Sequence, residues 1–115
     1  MKHCCNEAKK TARKAQVLSL KDAVAYQAGT IVSRELLHQR SGSLTLFAFA
    51  AGQELSEHTA PFDATVQVVD GEGLVTIGGK PHRVRKGEAI VMPAEVPHAV
   101  KAVKRFKMLL IMIRS

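Results

Sequence analysis

Three glycine-containing turns follow one another at intervals of about eight residues in the second half of the chain. They are Asp70-Gly71-Glu72-Gly73, Gly78-Gly79-Lys80 and Lys86-Gly87-Glu88. Each turn separates short runs rich in β-branched residues, and such regular spacing is typical of consecutive β-hairpins. The same pattern begins at Thr30. It predicts an all-β domain with little room for helices.

We predict nine strands, and particular residues constrain their ends and faces. Gly78 and Gly79 can supply the positive φ angles of a two-residue turn, so the flanking strands should pair directly. Pro81 should be the first residue of its strand, where its missing N–H costs least. The last strand is apolar on both alternating faces, which predicts burial on both sides or at a subunit contact. The predicted strands span 30–39, 43–50, 54–60, 64–70, 73–78, 81–86, 89–92, 98–103 and 106–113.

Size and composition indicate one globular domain. The chain has 115 residues, of which 46% are apolar and 23% charged, enough for a single core. We expect a flexible basic leader over 1–15, in which no apolar face is evident, and a single domain over 16–115. Ser19 and Asp22 could cap one helical turn at the start of this domain. A closed barrel or two-sheet jelly roll is the expected architecture.

Charge and cysteine usage bear on partners and location. The formal net charge is +7, but residues 1–14 hold five of the basic residues and one acidic residue. One tyrosine and four phenylalanines offer little for base stacking, so we expect no nucleic-acid partner. The longest apolar run, Met108 to Ile113, is too short to span a bilayer, so we expect no membrane partner. Adjacent Cys4 and Cys5 would bond only with strain, which favours a reducing, cytoplasmic location.

A first group of spaced residues lies within 52–71. Gly52 is followed after five residues by His58, and Gly71 completes the group. Ala60 is two positions after His58, and six residues separate Ala64 from Gly71.

A second group lies within 87–102. Five residues separate Gly87 from Pro93, and four residues separate Pro93 from His98. Glu95 and Ala102 occupy the remaining spaced positions. Together the two groups resemble the motifs of the cupin superfamily, which carry two histidines and a glutamate in the first motif and a histidine in the second. The spacing matches the family, whereas alanines replace the second histidine and the glutamate.

The resemblance implies a double-stranded β-helix, or jelly-roll barrel, of the RmlC-like cupin type. In that family the motif histidines point inward to a divalent metal, so the implied ligands here are His58 and His98. Two imidazoles suit Zn, Fe, Ni or Cu, and the expected cofactor is a divalent transition metal such as Zn, Fe, Ni or Mn. A pocket without metal is an equal alternative. Replacing a histidine and a glutamate by Ala60 and Ala64 should enlarge the pocket and make it more apolar.

Strand alternation extends this expected pocket. Ser56, His58 and Ala60 should share one face of their strand. The inward positions expected to line the pocket are Ala60, Ala64, Val66, Val68 and Val100.

Other polar residues are weaker candidates for a ligand role. By alternation Asp63 and Glu57 point away from the pocket, and His38 could reach inward from the face it shares with Arg34 and Leu36. His3 and His82 are read as ordinary histidines. The grouping of His3 with Cys4 and Cys5 lies in the leader and lacks supporting structure. Phe47 and Phe49 are assigned to packing.

Three functions remain open at this stage. The first choice is a small-molecule-binding cupin in which two histidines can hold a metal. The alternatives are a metal-dependent enzyme of the dioxygenase or isomerase type, and a noncatalytic sensory or structural module. The apolar faces at 30–37 and 106–113 predict a homodimer.

Overall fold

The computed structural model describes residues 15–114 and confirms the all-β prediction. The predicted leader, including His3, Cys4 and Cys5, lies almost entirely outside the described residues. Within 15–114 there is no helix long and apolar enough to cross a membrane. The strands are β1 (Ile31–Gln39), β2 (Gly42–Phe49), β3 (Glu54–His58), β4 (Asp63–Asp70), β5 (Glu72–Ile77), β6 (Lys80–Arg85), β7 (Ala89–Met92), β8 (His98–Lys101) and β9 (Phe106–Ile113).

The strands form two antiparallel sheets that enclose one core, as in a jelly roll. The five-stranded sheet has the order β1-β2-β9-β4-β7, and the four-stranded sheet has the order β3-β8-β5-β6. Non-consecutive strands such as β2 and β9 are neighbours, so the chain crosses repeatedly between the sheets. The core contains inward-facing residues of both sheets. The jelly-roll prediction is confirmed.

The hairpin between β5 and β6 confirms the predicted tight turn. Ile77 pairs with Lys80, and the two glycines between them have φ angles of 57° and 81°. Positive φ at both positions is what a type I′ turn requires, and glycine adopts it without steric cost. Pro81 was expected to begin its strand, but the strand begins one residue earlier. The proline is tolerated because β6 is the edge of its sheet.

One end of the barrel is closed by aromatic packing. The rings of Phe49 and Phe106 are stacked with their centroids 4.7 Å apart, and both side chains are fully buried. Gly73 makes this possible, because a Cβ at that position would lie 2.5 Å from the Phe106 ring. Phe106→Ala would therefore remove a central core contact at a cost of about 3–5 kcal/mol. The burial of Phe49 confirms its assignment to packing.

The segment before β1 covers the outer face of the five-stranded sheet. Val24 is buried in a second apolar cluster with Leu46, Ala48 and Leu109. The segment enters through one turn, in which the N–H groups of residues 22 and 23 donate to the Ser19 carbonyl at 3.0 and 2.9 Å. Because β9 faces the core on one side and this cluster on the other, the prediction of burial on both sides is confirmed for residues 106–109, whereas residues 110–112 are half-buried and Ile113 is exposed.

A polar contact fastens the same segment to the sheet. The Tyr26 hydroxyl donates to the Asp70 carboxylate at 2.6 Å. This hydrogen bond holds the pKa of Asp70 below its usual value, while burial and the neighbouring carboxylate raise the pKa of Tyr26. The Lys107 ammonium and the Arg105 guanidinium both lie 4.7 Å from the centre of the Tyr26 ring. Tyr26 thus connects the segment before β1 to β4 and β9.

A bulge in β1 corrects one expectation. The register between β1 and β2 shifts between Glu35 and Leu37, so simple alternation fails there. His38 is exposed, and its Nδ1 lies 3.2 Å from a Glu35 carboxylate oxygen. It does not reach the barrel interior.

Candidate functional site

The two motif histidines meet where β3 ends and β8 begins. His58 and His98 are paired across the strands, and their Nε2 atoms lie 3.1 Å apart. Their ring planes are inclined at 70°. His98 is buried, with 5% of its surface exposed, whereas His58 is open to solvent. The arrangement therefore presents two imidazole nitrogens at one accessible point.

A bulge in β3 brings another residue to this face. The register with β8 shifts between Leu55 and His58, so these two residues, three apart, both face the interior. Simple alternation assigned Ser56 to that face, but Ser56 is exposed and contributes its carbonyl oxygen to the site. A bulge leaves no clear mark in a sequence of this kind, which is why alternation failed here.

The opposite nitrogen of each ring contacts a backbone carbonyl. His58 Nδ1 lies 2.9 Å from the carbonyl oxygen of Ser56, and His98 Nδ1 lies 3.1 Å from that of Val96. A carbonyl can only accept, so each Nδ1 must carry the proton to form these bonds. A neutral imidazole has one N–H, so both Nε2 atoms are left as acceptors. Two lone pairs then face each other and attract a proton or a cation.

The turn that leads into His98 is tied to the opposite sheet. The N–H of Glu95 donates to the carbonyl of Ala60 at 2.8 Å, and the N–H of Ala94 donates to the Asp63 carboxylate at 2.8 Å. Asp63 therefore positions the turn from the protein surface, and it does not face the histidines. Glu95 has a φ of 67°, the one positive φ of a non-glycine among the described residues. This left-handed conformation favours glycine.

An apolar cavity of about 170 Å³ adjoins the histidine pair. Three of the five residues expected to line the pocket do so: Ala60, Ala64 and Val100. Val66 and Val68 belong to the core and are fully buried, but they do not line the cavity. The complete lining is Leu55, His58, Ala60, Phe62, Ala64, Met92, His98, Val100, Met108, Leu110 and Met112.

The comparisons with known proteins agree with this architecture. A family model described as a cupin domain matches residues 45–114. The chain belongs to the cupin family. The structure of a conserved protein of unknown function from Streptococcus pyogenes is 38% identical, with a TM-score of 0.83, over 88% of this chain and 89% of that one.

Two further similar structures are parts of longer chains. A cupin 2 conserved barrel domain protein from Leptotrichia buccalis is 46% identical with a TM-score of 0.78, over 81% of this chain and 45% of that one. A salicylate 1,2-dioxygenase from Pseudaminobacter salicylatoxidans is 20% identical with a TM-score of 0.68, over 78% of this chain and 28% of that one. The latter likeness concerns the fold alone. No curated protein sequence matches the chain.

Ala60 and Ala64, which stand at motif positions that carry metal ligands in cupins, make the cavity apolar. Ala64 is paired with Met92 on one side and with Met112 on the other. Because the Ala64 methyl group is small, the longer side chains of Met92 and Met112 can extend into the space beside it. The sequence analysis predicted burial for the last strand but did not single out Met108 and Met112, which line the same cavity as the histidines.

The donor set fits a metal that accepts few ligands. Two nitrogens that each lie about 2.0–2.1 Å from one tetrahedral ion are roughly 3.3 Å apart, close to the 3.1 Å seen here. Among residues 15–114, no group of three or more His, Cys, Asp and Glu side chains could hold a metal ion. The histidine pair of this cupin is therefore a two-nitrogen site that lacks the carboxylate of the family motif.

A larger groove of about 590 Å³ lies between β5, Arg83 and the loop before β9. Its acidic residue, Glu72, is already bonded to Arg83 at 3.3 Å and to Arg85 at 3.1 Å. These pairs are largely exposed, and we assign them no chemical role.

Proposed function

We propose that this cupin binds a small, largely apolar molecule in the cavity beside His58 and His98, with a transition-metal ion held by the two Nε2 atoms. The proposal rests on one observation: the Nδ1 atoms of His58 and His98 both face backbone carbonyls. Histidines that bind metals usually donate their other ring N–H to such an acceptor, which fixes the tautomer and the ring. Without a metal ion, the two Nε2 atoms at 3.1 Å would have to share a proton, which would place a positive charge on one of the two rings.

The cavity supports the small-molecule part of the proposal. Its lining is apolar except for the histidine pair, so a ligand would be bound mainly by burial and oriented at one polar point. A volume of about 170 Å³ suits a molecule near the size of benzene, which enters engineered cavities of about 150 Å³. The proposal includes a cytoplasmic location. The enzyme and sensor alternatives lack a comparable observation.

Metal titration tests the first part. Zn²⁺ and Ni²⁺ should bind the full-length protein, and His58→Ala or His98→Ala should each lower the affinity by about 100-fold or more, since each removes half of the donor pair. His82→Ala is the matched control, because His82 is exposed on the edge strand β6. Equal affinities in the His58→Ala, His98→Ala double variant and the native protein would refute the metal assignment.

Phenol and benzene are suitable probes for the second part. Ligand-observed NMR should detect both, with phenol bound more tightly because its hydroxyl can reach a histidine. Ala64→Leu fills the cavity from the sheet opposite the histidines and should abolish binding, whereas Ala89→Leu, at an exposed position of β7, should not. Probe binding that survives Ala64→Leu would show that the molecule does not occupy this cavity.

A further inference from the structure

The methionines of the described residues are concentrated at one place. The chain has four methionines, and the three that follow Met1 all line the cavity beside the histidines. Met92 and Met108 are almost fully buried, although a core built from Val, Leu and Phe could have filled the same volume. Thioether sulfur is a soft metal ligand. Thioethers that line the same cavity as two imidazole nitrogens can therefore bind a metal ion as well as fill the core.

Two of these methionines lie at the same end of the barrel as the histidines. Met92 ends β7 and Met112 lies near the end of β9, and both are paired with Ala64, the second residue of β4. Neighbouring strands are about 4.8 Å apart, so the two thioethers flank the space left by the alanine methyl. His98 follows Met92 after a turn of five residues. Met108 is four residues further along β9, roughly 13 Å deeper.

Charge decides which kind of ion suits this set of donors. The residues lining the cavity include no carboxylate and no thiol, so they supply no negative charge to a bound cation. The cost of moving an ion from water into a medium of low dielectric constant grows with the square of its charge, so it is about four times greater for a dication than for a monocation. Hard divalent ions prefer oxygen ligands, whereas thioethers select Cu(I).

We propose that the cavity is a Cu(I) site in which His58 Nε2, His98 Nε2 and the sulfur atoms of Met92 and Met112 are the donors. This inference rests on the proposed function, because it takes the histidine pair as the metal-binding group. It names the ion that the pair selects. Zn²⁺ should bind to the same histidines but gain nothing from the sulfurs.

Competition with a chelator specific for each metal measures the affinity of the protein for Cu(I) and for Zn²⁺. Full-length protein carrying Cys4→Ser and Cys5→Ser is used, so that leader thiols cannot bind copper. Cu(I) is supplied under ascorbate and competes with bathocuproine disulfonate, and Zn²⁺ competes with a fluorescent zinc chelator. Met92→Leu and Met112→Leu should each lower Cu(I) affinity by about 10-fold or more and change Zn²⁺ affinity by less than about 3-fold. Leucine conserves the buried volume, so the fold should be kept.

Leu46→Met is the control, since it makes the reverse exchange at a fully buried position in the second apolar cluster, outside the cavity lining, and it should leave Cu(I) affinity unchanged. X-ray absorption of the copper-loaded protein should show sulfur neighbours that are lost in the Met92→Leu, Met112→Leu double variant. Zn²⁺ binding with weak Cu(I) binding, or Cu(I) binding indifferent to both methionines, would overturn this inference and leave the proposed function standing. Failure of both metals to bind would overturn the proposed function as well.

Discussion

A carboxylate at position 64 should change both the stability of the barrel and its metal preference. Ala64 is buried, with 6% of its surface exposed, and lines the cavity opposite the histidines. In Ala64→Glu without metal, the new charge would face two imidazoles and apolar side chains. Leaving a buried charge without a partner costs about 3–5 kcal/mol. For a domain of about 100 residues this lowers the melting temperature by roughly 12 °C or more.

Metal should recover most of that loss, because the carboxylate supplies the third ligand and the negative charge that a divalent ion requires. We expect Zn²⁺ affinity to rise by about 100-fold or more. At 100 times its dissociation constant, bound Zn²⁺ stabilises the folded protein by about 2.7 kcal/mol. Adding Ala60→His should strengthen the site further, since residue 60 also lines the cavity. Cu(I) should lose its advantage over Zn²⁺ in both variants.

The assay is thermal unfolding at pH 8 with and without Zn²⁺, together with zinc titration. Ala89→Glu is the matched control, because it adds the same charge at an exposed strand position and should alter neither quantity. If Ala64→Glu unfolds at the native temperature and binds Zn²⁺ no better than the native protein, then residue 64 does not face the histidine pair, and the motif correspondence fails.

Three further predictions concern the parts that hold the site. Tyr26→Phe should lower the free energy of unfolding by about 1–2 kcal/mol at pH 7 by removing the hydrogen bond to Asp70. Because folding depresses the pKa of Asp70, this contribution is present above the ordinary aspartate pKa and is lost as pH falls through the lower, folded value. Urea unfolding should therefore show the two proteins converging in stability as the pH is taken below the ordinary aspartate pKa. Glu95→Gly should raise the free energy of unfolding by about 1 kcal/mol, since it relieves a φ of 67°, and a fall instead would show that the Glu95 side chain stabilises the turn. Light scattering at tens of micromolar should give the mass of a dimer, since Ile113 and Val91 remain exposed, and a monomer mass would contradict that expectation.

Much of the fold could be predicted from the sequence because local chemistry determines it. Glycines mark the turns, and the period of two in the strands decides which side chains face inward. His58 and His98 could be found because the spacing of both motifs survives. The packing of the segment around Val24 against the five-stranded sheet could not be predicted, because the local sequence does not show where a loop packs.

The errors have local structural causes. His38 is exposed and contacts Glu35 in the part of β1 that follows a bulge, and the bulge in β3 brought Leu55 inward in place of Ser56. Alternation identifies the inward face of β4 but not how far the cavity extends along it, so Val66 and Val68 could not be separated from the lining. The carbonyl contacts that fix the histidine tautomers require coordinates.

The central claim is that the His58–His98 pair holds a metal ion, and elemental analysis tests it most directly. Two untagged proteins are compared, and both carry Cys4→Ser and Cys5→Ser. One keeps the native histidines, and the other is the His58→Ala, His98→Ala double variant. Each is incubated with Cu(I) or Zn²⁺, desalted and analysed for metal. We predict close to one metal ion per native chain and close to none in the double variant. Equal metal content in the two proteins would contradict the account.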